Sequence, residues 1–166
     1  MNMLAISYFF HLIATVVWLG GLFILSLLVF PETKRVLQES PALYMLLGRF
    51  RKRFFPLINF SLAVLVLTGF INMSGDPNYD GVLQFDNEWS RVMLLKHIAI
   101  LGMVVCGLLL QYGVAPALER ATLLIERGKG NPQEAEKLRR REVRLTWANV
   151  VLGVLVLAFT AWATAI

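Results

Sequence analysis

Four apolar runs, each long enough to cross a bilayer, constrain this chain more than any other feature. A helix needs about 20 apolar residues to cross a hydrocarbon core of about 30 Å. The runs cover about residues 4–30, 54–73, 92–114 and 145–166. Only 16% of the 166 residues are charged, against about 25% in an ordinary soluble domain. The expected fold is therefore an all-α integral membrane protein: a single domain, 1–166, built as an antiparallel bundle of four transmembrane helices. The first run has no basic residue before it and exceeds the apolar core of a signal peptide. It is expected to stay as a span.

The charges between the runs predict orientation. Fourteen of the sixteen lysines and arginines fall in two connections, 31–53 and 115–144. The remaining connection, 74–91, holds Asp76, Asp80, Asp86 and Glu88 and, up to residue 90, no basic residue. The positive-inside rule makes both basic connections cytoplasmic. Both termini and the acidic loop then lie outside, on the periplasmic face of an inner (plasma) membrane. The net charge of +5 is thus explained by topology and inner-leaflet anchoring. No recognition motif accompanies it, so a nucleic-acid partner is not expected.

Local signals fill in the connections. Ser40-Pro41 reads as an N-cap with proline at N1, opening a short helix through Phe50. Its Leu43, Leu46, Leu47 and Phe50 form a stripe suited to the membrane surface. Pro31 and Pro116 read as stops, and Pro56 as lying in the first turn of the second span, where its missing N–H costs little. Residues 117–127 are helical in pattern, Gly128 is a C-cap and Asn131-Pro132 restarts a helix. Spans three and four should therefore extend into the cytoplasm as a helical hairpin. Gly75 to Gly81 is a run of turn residues. Trp89 and Trp162 suit an outer aromatic belt and Trp147 an inner one.

Within the spans, two histidines need an explanation, because imidazole is costly in hydrocarbon unless something binds it. His11 lies seven residues into the first run, roughly 10 Å at 1.5 Å per residue, and His97 lies at roughly 12 Å in the third. Charge pattern alone thus puts them at similar depth on different helices. Two such imidazoles suit the axial positions of a b-type haem, and bundle interiors commonly hold such cofactors. Thr15 and Trp18 share the His11 face at i+4 and i+7, and Thr68 lies in the same third of the bilayer. Arg91 and Lys96 are the only cations in the outer half, available to haem propionates. Such a protein would be an electron carrier or a haem-dependent membrane oxidoreductase.

Copper is the alternative. Met1, Met3, Met73 and Met93 cluster toward the outer surface, and thioethers favour Cu(I). A copper site would draw on His11, His97, Met73 and Met93. A third reading is an accessory subunit without a cofactor, packed in a larger membrane complex. Cys106 is the only cysteine, so it cannot form an intrachain disulfide, and small packing is its simplest role. The glycines Gly20, Gly21, Gly69 and Gly107 suit close helix contacts. Thr68 is expected to bond its own i−4 carbonyl, Asn72 to sit near the outer interface and Asn149 to bond across the bundle. No nucleophile–base set, phosphate loop or carboxylate pair lies in the spans, which leaves hydrolase and nucleotide chemistry without support. The redox partner, the substrate and self-association stay open.

Three pieces in order, His11…Trp18-Leu-Gly-Gly, Val66-Leu-Thr68-Gly69 and Leu94-Leu-Lys96, resemble the core of the copper resistance protein D (CopD) family. The resemblance covers about the first 115 residues. It implies an inner-membrane protein tied to copper handling and facing the periplasm. Many members of that family are longer, with extra spans. The pattern also resembles HemJ-type protoporphyrinogen oxidases, four-helix proteins that bind haem b. That resemblance implies a functional pair of His11 and Lys96, though the stretch expected after their first helix is missing here.

Overall fold

The computed structural model describes residues 2–37, 41–79, 81 and 86–166. Among these, secondary structure is helical throughout, with no strand. Four helices are long and apolar enough to cross a membrane: α1 (Met3–Leu37), α2 (Pro41–Ser74), α3 (Glu88–Glu126) and α4 (Pro132–Ala165). Large apolar side chains such as Phe9, Leu12, Val16, Phe60, Leu67, Leu101 and Val154 lie exposed along them. Such surfaces suit a hydrocarbon solvent and would be a liability in water.

The contacts define an antiparallel bundle. Ser7 and His11 of α1 meet Thr68 of α2, and Gly21 lies opposite Phe54. The α3 and α4 helices pack along much of their length, and α1 touches α4 through its middle. The α2 and α3 helices scarcely touch. At the centre, Leu19, Ala99, Met103 and Val156 form a buried cluster, with Trp18, Phe23 and Leu152 packed on it. Gly153 marks a close approach: a methyl group there would stand 3.3 Å from Leu19, 3.4 Å from Phe23 and 3.5 Å from Met103. Lipid tails are as apolar as leucine, so small residues that let helices approach are what hold such a bundle together.

Prolines behave differently from the sequence expectation. The α1 helix continues through Pro31 to Leu37, and α3 continues through Pro116 to Glu126. In both cases a π-type turn comes immediately before, Leu25–Val29 in α1 and Leu109–Val114 in α3. A proline in an α-helix clashes with the carbonyl four residues back and removes a donor. A wider turn there relieves both problems. Pro56 lies well inside α2 rather than in its first turn, because the helix already begins at Pro41. The expected short surface helix is therefore the first part of α2. Its Leu43 and Leu47 are buried against protein, although its N-cap, Ser40, lies outside the described residues, as do Met1 and Asp80.

The hairpin between α3 and α4 follows the sequence closely. Gly128 has φ +69°, the left-handed value that glycine adopts without strain. Lys129 N–H donates to Leu124 O and Gly128 N–H to Ile125 O, both at 2.9 Å, the paired bonds of a Schellman cap. The Asn131 side chain then accepts from Gln133 N–H at 2.9 Å. At the other end of the bundle the Asn87 side chain caps α3 by accepting from Ser90 N–H at 2.7 Å. Trp147 and Trp162 are exposed, as interface residues would be, whereas Trp89 is buried in the bundle.

Candidate functional site

Four buried polar residues, Ser7, Thr68, Asn72 and Ser90, lie toward the acidic-loop end of the bundle. On α1, Ser7, His11 and Ala14 follow helical spacing, and the first two face α2. Ser7 Oγ donates to Thr68 O at 3.3 Å. His11 Nδ1 lies 2.8 Å from Thr68 Oγ1. The Thr68 hydroxyl also lies 2.6 Å from the Val64 carbonyl of its own helix. A hydroxyl has a single proton, and the carbonyl can only accept. With its proton directed to Val64, the Thr68 oxygen accepts from His11 Nδ1–H. The His11 lone pair is then carried by Nε2, the nitrogen left available to a ligand. Thr15 Oγ1 donates to the His11 carbonyl at 2.8 Å. Gly69 lies against the ring: a methyl group on it would stand 3.6 Å from His11 Cε1.

Thr68 thus has the role expected of it on its own helix, and a second one toward His11. One turn further along α2, Asn72 is buried, and its Oδ1 has no hydrogen-bond partner among the described residues. The sequence reading expects it near the outer interface and does not anticipate its burial. The i+4 spacing from Thr68 is the signal that both share a buried face.

On α3 the structure separates two neighbours. Val92, Ala99 and Met103 are buried and, at i−4, i+3 and i+7 from Lys96, they define one face with it. Lys96 is half-buried. His97 is turned about 100° from Lys96 by the 3.6-residue period. It is exposed, and its Nδ1 lies 2.6 Å from the Met93 carbonyl, which takes that proton within the same helix.

A haem held between His11 and His97 therefore gains no support from the geometry. His97 is exposed and points off the face that meets the bundle interior. Met73 and Met93 are half-buried, Met3 and Arg91 are exposed, and Trp18 packs on the central cluster rather than beside His11. Among the described residues no group of three or more His, Cys, Asp and Glu side chains could hold a metal. The side chains that the structure brings together are His11, Thr68 and Ser7, while Lys96 is half-buried on its own helix.

A family model described as Copper resistance protein D matches residues 48–163. The match takes in most of α2, all of α3 and nearly all of α4. It reaches farther toward the C-terminus than the motif resemblance, and it leaves α1 outside. No curated protein and no solved structure matches the chain. The comparisons bring nothing in support of the protoporphyrinogen oxidase resemblance.

Proposed function

The chain belongs to the copper resistance protein D family, and we propose that it handles copper at the membrane through a site built on His11. The observation that carries this reading is the Thr68 hydrogen bond to His11 Nδ1. It orients the ring and leaves Nε2 to a metal, as hydrogen-bond partners of metal-binding histidines commonly do. Copper enters as cargo rather than as a resident cofactor. Cu(I) favours soft ligands, so it does not need the carboxylate-rich cage that this bundle lacks among its described residues. Met73 and Met93, both half-buried near the same end, are the thioethers nearest in sequence to the two faces involved.

Lys96 gives the site a second property. Lys96 stands near the depth that the sequence gives His11, and a cation there opposes stable occupancy of the site by another cation. That suits a site that passes copper on rather than storing it. By the charge pattern of the connections, the site opens toward the outer face of the inner membrane.

The test is copper content per chain, measured on protein purified after growth with Cu(I), together with copper tolerance of cells that depend on the protein. His11→Ala should lose bound copper and change tolerance, while His97→Ala should change neither. Equal copper content in wild type and His11→Ala would remove the reading. His11 and Lys96 are also the two residues implied by the protoporphyrinogen oxidase resemblance, and haem content of the same preparation separates that reading from this one.

A further inference from the structure

We infer that a slot in the basic-loop half of the bundle holds one acyl chain of an anionic phospholipid, whose head group lies at the end where the cations stand. The slot uses none of His11, Thr68 and Lys96, so it stands apart from the copper reading.

The slot follows from how the helices pack. Because α2 and α3 scarcely touch, a cavity of about 160 Å³ remains between them, with α1 and α4 completing its wall. A cavity of about 150 Å³ admits a benzene ring, so this one admits a run of methylenes rather than a whole lipid. Its lining runs from Trp18 to Phe30 on α1, from Phe50 to Leu62 on α2 and from Met103 to Ala115 on α3. Each stretch is roughly 18 Å long at 1.5 Å per residue, against about 15 Å for the half of the hydrocarbon core that one leaflet fills. Asn59 of α2 and Leu108 of α3 belong to the lining and are exposed, so the slot is open to the bilayer along its side.

Its chemistry is graded. The inner end is apolar, with Trp18, Leu22, Leu62, Met103 and Val104. Ser26, Gln111 and Thr146 each lie about one turn in from Phe30, Ala115 and Glu142, the lining residues nearest the basic end on their helices. All three are half-buried, and none makes a side-chain hydrogen bond among the described residues. Thr146 is an exception in this chain. The other six threonines each donate to the carbonyl four residues back, the ordinary local bond of a hydroxyl on a helix. Three uncommitted donors on one cavity wall call for acceptors from an occupant, and the ester carbonyls of a glycerolipid supply them between chain and phosphate. Asn149 also lines the slot, but its Oδ1 is buried, and the bond across the bundle expected of it is not made by that atom.

The charge beyond the slot selects the head group. Arg49, Lys52 and Arg53 flank Phe50 and Phe54 on α2, and Arg141 and Arg144 flank Glu142 on α4. All five are exposed, and none forms an ion pair among the described residues. Glu142, the one charged residue in the lining among those described, already has a partner within the protein. The two basic connections together hold fourteen basic residues against seven acidic ones. Such a surface attracts an anionic head, and a zwitterionic head has no net charge to gain from it.

The test uses the full chain in detergent, titrated separately with dioleoyl-phosphatidylglycerol and dioleoyl-phosphatidylcholine, with retained lipid read by native mass spectrometry. The expected result is one phosphatidylglycerol per chain, held at least tenfold more tightly than the first phosphatidylcholine. Gly107 lines the slot with nothing within 4 Å of a methyl position, so Gly107→Leu fills it without a clash at the backbone. That variant should lose the retained lipid, with the unfolding temperature in detergent alone unchanged. Thr146→Val combined with Gln111→Leu removes two donors at similar volume and should weaken retention at least tenfold; it decides the matter where Gly107→Leu does not fold. Lys52→Gln, Arg53→Gln and Arg144→Gln together should leave the slot open and bring phosphatidylglycerol down to the level of phosphatidylcholine. Equal retention of the two lipids by the wild type would overturn the proposal. So would phosphatidylglycerol held as tightly by the slot variants as by the wild type, which would mean adsorption to the cations alone.

Discussion

His11 Nδ1 and Thr68 Oγ1 lie 2.8 Å apart across the α1–α2 interface, and Thr68 Oγ1 in turn lies 2.6 Å from Val64 O. This short relay decides which nitrogen of the ring is offered to a ligand. Thr68→Val removes the acceptor while keeping the branched shape. Copper affinity should fall by about 10–100-fold, the usual effect of losing a partner behind a metal ligand. Thr68→Ser should restore most of it. Competition with a Cu(I) chelator measures both.

Lys96 should act in the opposite direction. Repulsion between two unit charges inside a protein amounts to a few kcal/mol, so Lys96→Met should tighten copper retention at least tenfold and slow its release. Chelator-triggered release followed by stopped flow reads the rate. Looser retention in Lys96→Met would mean that the side chain helps to hold the metal.

The position of His97 makes a spectroscopic prediction. Its ring is turned off the interior face and bonded to Met93 O. Protein purified from haem-supplied cells should show no Soret band that His97→Ala abolishes. An absorption spectrum of the two proteins decides this.

Orientation is open to direct labelling. In a Cys106→Ser background, a cysteine replacing exposed Ser74 should react with an impermeant thiol reagent added to intact spheroplasts. One replacing exposed Arg127 should react only after lysis. The reverse pattern would invert the topology drawn from the basic connections.

Gly153 should tolerate a methyl group but not a large side chain. A methyl group there meets Leu19, Phe23 and Met103 at 3.3–3.5 Å, all through ends of flexible side chains. Gly153→Ala should therefore cost little, and Gly153→Ile should cost about 1–3 kcal/mol by overpacking. Thermal unfolding in detergent measures the difference.

Several of these features are legible in the residues alone. Long uncharged runs report spans directly, and Gly128 and Asn131-Pro132 mark the ends of the hairpin because left-handed caps and helix starts have narrow chemical requirements. His11 stands out because hydrocarbon rarely tolerates an imidazole without purpose. The choice between Lys96 and His97 is not legible. A membrane helix is apolar on every side, so hydrophobic periodicity says little about which face turns inward. Two adjacent residues then differ by about 100° with no pattern to rank them. The burial of Trp89 escapes for the same reason, since interface tryptophans and packed ones sit at the same depth. Pro31 and Pro116 read as stops because a π-type turn leaves no mark in composition.

Those widened turns have a mechanical consequence. Each lets a span run on past its proline without a break in the helix, so the segment Ala115–Glu126 is carried by the helix beneath it. Its 12 residues make an arm of roughly 18 Å at 1.5 Å per residue. A few degrees of tilt deep in the membrane become a displacement on the order of an ångström at the far tip, as at the end of an oar.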